Sequence, residues 1–127
     1  MRDLKYLFAY TVPISVYLSL ISTGIWTYSA VFYVFLVIPL LDLILGEEKD
    51  NLPDESVASI HNKWIFDVML YLNIPIVFGL LFVAFSSIQT NDFSTLETIG
   101  IAISTGVLLA TNGINVAHEL GHRRTYF

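Results

Sequence analysis

The chain has 127 residues, 55% of them apolar, and a formal net charge of −5. Its uncharged stretches are far too long for a soluble core, so a soluble globular domain is excluded. The acidic balance gives no sign of nucleic-acid binding. The absence of cysteine excludes a disulfide framework and a thiolate metal site within these residues. We therefore expect an all-α integral membrane protein.

The charge-free intervals fix the number of spans. They cover residues 6–41, 68–91 and 98–118, whereas a spanning helix needs about 20 apolar residues. The first interval is nearly twice that length, and Ser22, Thr23 and Gly24 in its middle supply turn chemistry. The sequence thus predicts a single transmembrane domain over 1–127 with four transmembrane helices, at about 4–21, 25–45, 64–88 and 97–117.

The basic residues favour this division. With four spans all six Lys and Arg residues fall on one side, which is the cytoplasmic side for short loops. We therefore expect both ends of the chain to be cytoplasmic. A secretory signal peptide is the competing explanation for the N-terminus, but there is no convincing small-residue cleavage site and the second span follows almost at once.

The strongest chemical signal is "AHELGHRR" at residues 117–124. His118 and His122 are four apart, so on a helix they share one face and can reach the same metal ion or cluster. The structural alternative is a pair of interfacial histidines that snorkel or hydrogen-bond within a bundle. Ionisable residues at membrane depth are usually functional, which favours metal chemistry.

Two kinds of metalloenzyme use such a helix. In a zinc metalloprotease the two histidines bind Zn²⁺, Glu119 acts as general base on the metal-bound water, and a third ligand follows later in the chain. In a histidine-rich diiron centre several histidine motifs converge to activate O₂. The motif alone leaves both open.

The residues around the motif carry a family resemblance. "PLLDLILGEEKDNLP" from Pro39, "YLNIPIVF" from Tyr71 and "GINVAHELGHRR" from Gly113 stand in this order. Together they resemble the membrane alkane 1-monooxygenases, non-haem diiron alkane hydroxylases related to the membrane fatty-acid desaturases and hydroxylases. The chain departs from the family pattern at Leu52, usually Pro, and at Arg123, usually Lys; both changes keep the local character.

This resemblance implies a fold, a cofactor and an incomplete site. It implies a six-helix bundle in the bacterial inner (cytoplasmic) membrane, with two irons and with O₂ as co-substrate. His118 and His122 would be the first pair of iron ligands. The remaining histidine, His61, has no expected ligand role, so the chain would be an N-terminal fragment of a longer enzyme whose site it cannot complete alone.

Other residues receive supporting roles. Asp42 and Asp67 lie near the cytoplasmic ends of their spans and are candidates to orient the ligating imidazoles; capping helix ends at the headgroups is the alternative. For Glu119 we expect a contact with a ligating side chain, without direct contact with the metal, or a contact between helices. Val34 and Ile38, four apart, are candidate walls of a substrate channel.

Helix packing near the motif also yields expectations. The small residues of "STGVLLATNGINVAHELG" should let neighbouring helices approach closely. Asn112 and Asn115 are expected to form interhelical hydrogen bonds.

The implied reaction is O₂-dependent terminal hydroxylation of an alkane that enters from the bilayer. Electrons would come from a rubredoxin reduced by an NAD(P)H-dependent rubredoxin reductase. A zinc metalloprotease and a non-enzymatic membrane subunit remain the alternatives. Further histidine-rich segments downstream would favour the hydroxylase, a single downstream ligand the protease, and an absence of metal the subunit.

Overall fold

The computed structural model describes residues 10–45 and 63–122, and the side chains at these positions except 45, 63–66 and 122. The regular elements in these two segments are helical, which confirms the predicted all-α class. The α-helices of the described segments are α1 Thr11–Ile21, α2 Ser29–Phe32, α3 Ile38–Leu45, α4 Lys63–Thr90, α5 Thr95–Leu108 and α6 Ile114–His122. Residues 4–9 of the first predicted span, the acidic loop with His61, and Arg123 and Arg124 lie outside the described residues.

Short 3-10 and π-helical turns join some of these helices into longer continuous runs. In chain order the four described runs cover residues 11–21, 24–45, 63–90 and 95–122. The second run, 24–45, starts with the 3-10 turn Gly24–Tyr28 and contains the first π-turn, Tyr33–Val37, between α2 and α3. The fourth run, 95–122, contains the second π-turn, Leu109–Gly113, between α5 and α6. Within residues 10–45 and 63–122, three stretches are long and apolar enough to cross a membrane: Gly24–Ile44, Asp67–Thr90 and Thr95–Gly121. The described part of the first run, α1, is shorter.

The break between the first two runs is local in origin. Ser22 and Thr23 are extended, and Gly24 has φ +62°, the left-handed region that glycine adopts without a steric penalty. Its backbone N–H donates to Glu97 Oε1 at 2.6 Å. Glu97 also forms a capping box with Ser94 at the start of α5. One carboxylate therefore ties the starts of the second and fourth runs together.

Interhelical hydrogen bonds define the direction of the runs. Tyr10 donates to the Met69 carbonyl at 2.7 Å, and Ser87 donates to the Leu20 carbonyl at 3.2 Å, so α1 and α4 are parallel. The second and fourth runs begin side by side, where Tyr28 donates to the Leu96 carbonyl at 2.8 Å. The four runs thus alternate in direction, and Asp42, Asp67 and His118 belong to the same end of the bundle.

Small polar side chains hold the centre of the bundle. Ser19 Oγ lies 2.9 Å from Ser29 Oγ and accepts from the Ala30 N–H at 3.0 Å, and Ser104 donates to the Thr27 carbonyl at 2.9 Å. Each contact satisfies a polar group that lipid cannot solvate. Around them the fully buried apolar residues are Val16, Leu20, Ala30, Ile101 and Leu108.

Among the described glycines, the tightest contact with a neighbouring element lies upstream of the stretch in which close approach was expected. A Cβ on Gly100 would meet Thr27 Oγ1 and lie 2.7 Å from the Tyr28 ring, whereas at Gly106 and Gly121 it would meet nothing within 4 Å. Within the predicted stretch 104–121, Ser104 is buried and makes the close contact described above. The expectation is therefore wrong for these two glycines, because the tight crossing occurs at the 3-10 turn.

Candidate functional site

The histidine motif lies on a continuous helix at one end of the bundle. Helix α6 begins at Ile114 and runs through His118 to His122, so the two histidines are one helical turn apart, about 6 Å along the axis. His118 and Glu119 are exposed to the surroundings of the described bundle, and both make interactions of their own. His118 and His122 therefore lie on one continuous helix, at a spacing that allows both side chains to bind the same metal ion.

Immediately before the motif the helix changes its hydrogen-bond pattern. In the second π-turn the Ile114 N–H donates to the Leu109 carbonyl, five residues back instead of four. The Thr111 hydroxyl lies 2.7 Å from the Val107 carbonyl oxygen and 3.0 Å from Asn112 Oδ1, and its single proton can serve either one. Such π-bulges are rare in helices and are frequent at functional sites.

A buried amide pair connects this turn to α4. Asn112 Nδ2 donates to Asn73 Oδ1 at 2.8 Å, and Asn73 Nδ2 donates to the Met69 carbonyl at 3.0 Å. Each of the two asparagines is only 7% exposed. The structure thus gives Asn112 the interhelical hydrogen bond that the sequence suggested. For Asn115, which is exposed, the structure gives no such bond, because α6 turns that position outward.

The amide pair also fixes relative depth. Asp67 precedes Asn73 by six residues and His118 follows Asn112 by six, on helices that run in opposite directions. Both therefore lie about 9 Å from the amide pair toward the same end of the bundle. Asp67 is half-buried and also takes part in an interaction of its own.

The second run places the other predicted residues. Asp42 on α3 is exposed. Val34 and Ile38 are partly buried and pack against the core, so they face inward across the first π-turn, while Phe35 beside them is 69% exposed.

The motif supplies two imidazole side chains at helical spacing. Imidazole nitrogen is a ligand type that suits late first-row metals. Within residues 10–45 and 63–122, no group of three or more His, Cys, Asp or Glu side chains is arranged to hold a metal ion. The two histidine positions can thus provide part of a metal site.

An apolar groove that sequence reasoning missed runs between α1 and α4. It is open to one side, has a volume of about 550 Å³, and is lined by residues that include Pro13, Ile14 and Tyr17 of α1 and Pro75, Gly79 and Val83 of α4. Gly79 lies on its wall, where a Cβ would meet nothing within 4 Å. Hydropathy gives no signal for such a groove, since lipid-facing and groove-facing apolar residues look alike.

Comparison with known proteins gives a consistent family signal, although no protein-family model matches the chain. Over 93 residues, 72% of the chain, it is 34% identical to the alkane 1-monooxygenase of Pseudomonas putida, of which the match covers 22%. It is 35% identical over 92 residues to that of Ectopseudomonas oleovorans, covering 71% of the chain and 22% of the relative. Alkane 1-monooxygenase 1 of Alcanivorax borkumensis is 31% identical over 93 residues, with 72% and 22% covered.

These matches span about a fifth of the length of the curated relatives. All three relatives are named as alkane 1-monooxygenases, which confirms the resemblance inferred from the three sequence elements. The chain is a sequence relative of the alkane 1-monooxygenases.

Proposed function

We propose that the chain is the N-terminal part of a membrane alkane 1-monooxygenase that hydroxylates the terminal carbon of an alkane with O₂. The observation that carries the proposal is the motif His118-Glu-Leu-Gly-His122 on a helix at one end of a membrane bundle, in a chain whose relatives bear that name. The full protein would sit in the bacterial inner membrane, with both ends of this segment cytoplasmic. It would receive electrons through rubredoxin and its NAD(P)H-dependent reductase.

In this proposal two irons supply the redox chemistry that activates O₂ when they are bound. His118 and His122 would contribute neutral imidazole nitrogens from one helix face, and parts of the full protein outside this chain would supply the other ligands. A ligating imidazole is usually oriented by an acceptor on its second nitrogen. Asp67, half-buried at the same depth as His118, and Asp42, exposed on α3, are the candidates for that role.

The apolar bundle has the complementary task of admitting the substrate and excluding water. The exposed apolar surface, which includes Phe35, Phe78 and Phe82, is suited to contact with acyl chains, from which an alkane can partition directly. Val34 and Ile38 on the inward face of the second run would line the path to the metal end. Exclusion of water protects the oxidising centre from side reactions.

The test is metal content and product formation in the full-length protein. We expect about two irons per chain, and conversion of an alkane to its primary alcohol with rubredoxin and reductase present. His118→Ala and His122→Ala should each lose iron and activity, because a missing ligand leaves the site incomplete. His61→Ala is the matched control and should retain both.

Two outcomes would overturn this proposal. One zinc per chain with background iron would indicate a metalloprotease, in which Glu119 is the base. Full-length protein without any metal, and unaffected by the two histidine substitutions, would indicate a non-enzymatic membrane subunit.

A further inference from the structure

The buried face of α5 has ordinary α-helical spacing. Its buried residues recur every three or four positions, as expected for about 100° per residue: Gly100, Ile101, Ser104, Val107 and Leu108. If this geometry continued unbroken to the end of the fourth run, the same face would continue through Thr111 to Asn115, His118, Glu119 and His122. An unbroken helix would therefore turn the first histidine of the motif into the packed interior.

The structure shows a different face after the second π-turn. Among the described side chains of α6, Val116 and Leu120 are half-buried, while Asn115 and His118 are exposed. Relative to Asn115 and Glu119, the packed positions are displaced by one residue, to Val116 and Leu120. This is the effect of a π-turn, which accommodates one extra residue within a helix and so rotates the next part of the helix by about 100°.

A π-turn is rarely adopted in helices, and an interaction made from within the turn can stabilise it. The interaction here is the buried hydrogen bond from Asn112, inside the turn, to Asn73 on α4. A buried amide in a membrane bundle requires a partner. The pair therefore anchors the turn to α4.

We propose that the second π-turn, anchored by Asn73 and Asn112, sets the rotation of α6 and thereby keeps His118 off the face packed between the described helices. The two asparagines are positioning residues, which act on the metal site through the helix that carries it. That His118 is a ligand rests on the proposed function; the rotation itself does not.

The rotation can be measured by crosslinking. The chain contains no cysteine, so paired cysteines can be introduced at Met69, one turn from Asn73, and at either Val116 or Asn115. In the full-length protein in membranes, a short thiol crosslinker should join position 69 to 116 and leave 69 and 115 unjoined. Asn112→Leu should relax the turn to α-helix and reverse this preference.

A deletion provides the matched control. Removing Ala110 shortens the fourth run by the one extra residue that the π-turn accommodates. An ordinary α-helix through this region then gives α6 the same rotation that it has with the π-turn. The variant Asn112→Leu with Ala110 deleted should therefore recover the 69-to-116 crosslink, and its recovery shows that the protein folds without the amide pair. In the same backgrounds without cysteines, iron per chain should fall at least tenfold in Asn112→Leu and return when Ala110 is deleted.

The outcomes separate the two proposals. An unchanged crosslink preference in Asn112→Leu, or no recovery of the preference on deletion, would overturn the rotation mechanism. A reversed preference with iron retained would overturn the role of the two asparagines as positioning residues. Iron retained in His118→Ala would instead overturn the proposed function, whatever the crosslinks show.

Discussion

Replacement of Gly100 by alanine tests the tight contact between α5 and the 3-10 turn Gly24–Tyr28. The new Cβ would meet Thr27 Oγ1 and lie 2.7 and 2.8 Å from two carbons of the Tyr28 ring. Neither neighbour can yield easily. Thr27 is completely buried and donates to the Gly24 carbonyl at 2.9 Å, and Tyr28 is held by its hydrogen bond to the Leu96 carbonyl.

The magnitude is set by two opposing effects. Overpacking of a tight site costs about 1–3 kcal/mol, whereas alanine is favoured over glycine within a helix by about 1 kcal/mol. The matched control is Gly106→Ala on the same helix, where the added Cβ meets nothing within 4 Å. Both substitutions carry the same gain in helix propensity, so the difference between them isolates the packing cost of about 1–3 kcal/mol.

The assay is thermal unfolding of the purified full-length protein in detergent. We expect Gly100→Ala to unfold at least about 2 °C below Gly106→Ala. If the contact with Thr27 is the cause, the loss should be smaller in a Thr27→Ala background, where the obstructing oxygen is gone. Equal stabilities of the two alanine variants would refute the reasoning, and so would a loss that Thr27→Ala leaves unchanged.

Three further predictions concern the channel, the loop junction and topology. Val34→Trp in the full-length enzyme should reduce oxidation of long alkanes more than of short ones, while Phe35→Trp on the exposed side of the same turn should not discriminate by length; a uniform loss would contradict the channel role. Glu97→Gln should lower the thermal stability, since the three donors of the junction are divided between the two carboxylate oxygens and a glutamine side chain offers only one acceptor oxygen, and an unchanged melting temperature would contradict that contribution. Cysteines at Asp50 and Asp92 should label from opposite sides of the membrane with an impermeant thiol reagent, and labelling from one side would exclude the four-span topology.

Sequence reasoning reached the features that hydropathy and charge encode. The expected all-helical membrane class holds, and the helical break falls at Gly24, where the turn residues stand. The motif lies at the end of a helix that begins on the other side of the bundle. Each of these features depends on composition over a long window or on a residue with unusual backbone freedom.

The remaining features depend on which side chains meet. The π-turns cannot be recognised in the hydropathy pattern. A helical turn whose backbone bonds reach the fifth preceding residue buries the same types of apolar residue as one whose bonds reach the fourth. Asn112 was recognisable as a polar residue in a span, but its partner Asn73 was not, since pairing across 39 positions requires the packed structure. Gly100 looks like any other helix glycine until the 3-10 turn is placed against it.

Adding or removing one residue in a helix changes the rotation of a membrane metal site much more than its depth. One residue more or less in a helix moves the subsequent residues by about 1.5 Å along the axis but by about 100° around it. A site at the mouth of a bundle can absorb the first change by a small side-chain adjustment, whereas the second turns a ligand toward a different neighbour. The spacing of His118 and His122 gives them a common face on the helix without specifying where that face points. That direction must come from a contact elsewhere on the same helix, and the hydrogen bond from Asn112 to Asn73 lies at the position where the helix changes its rotation.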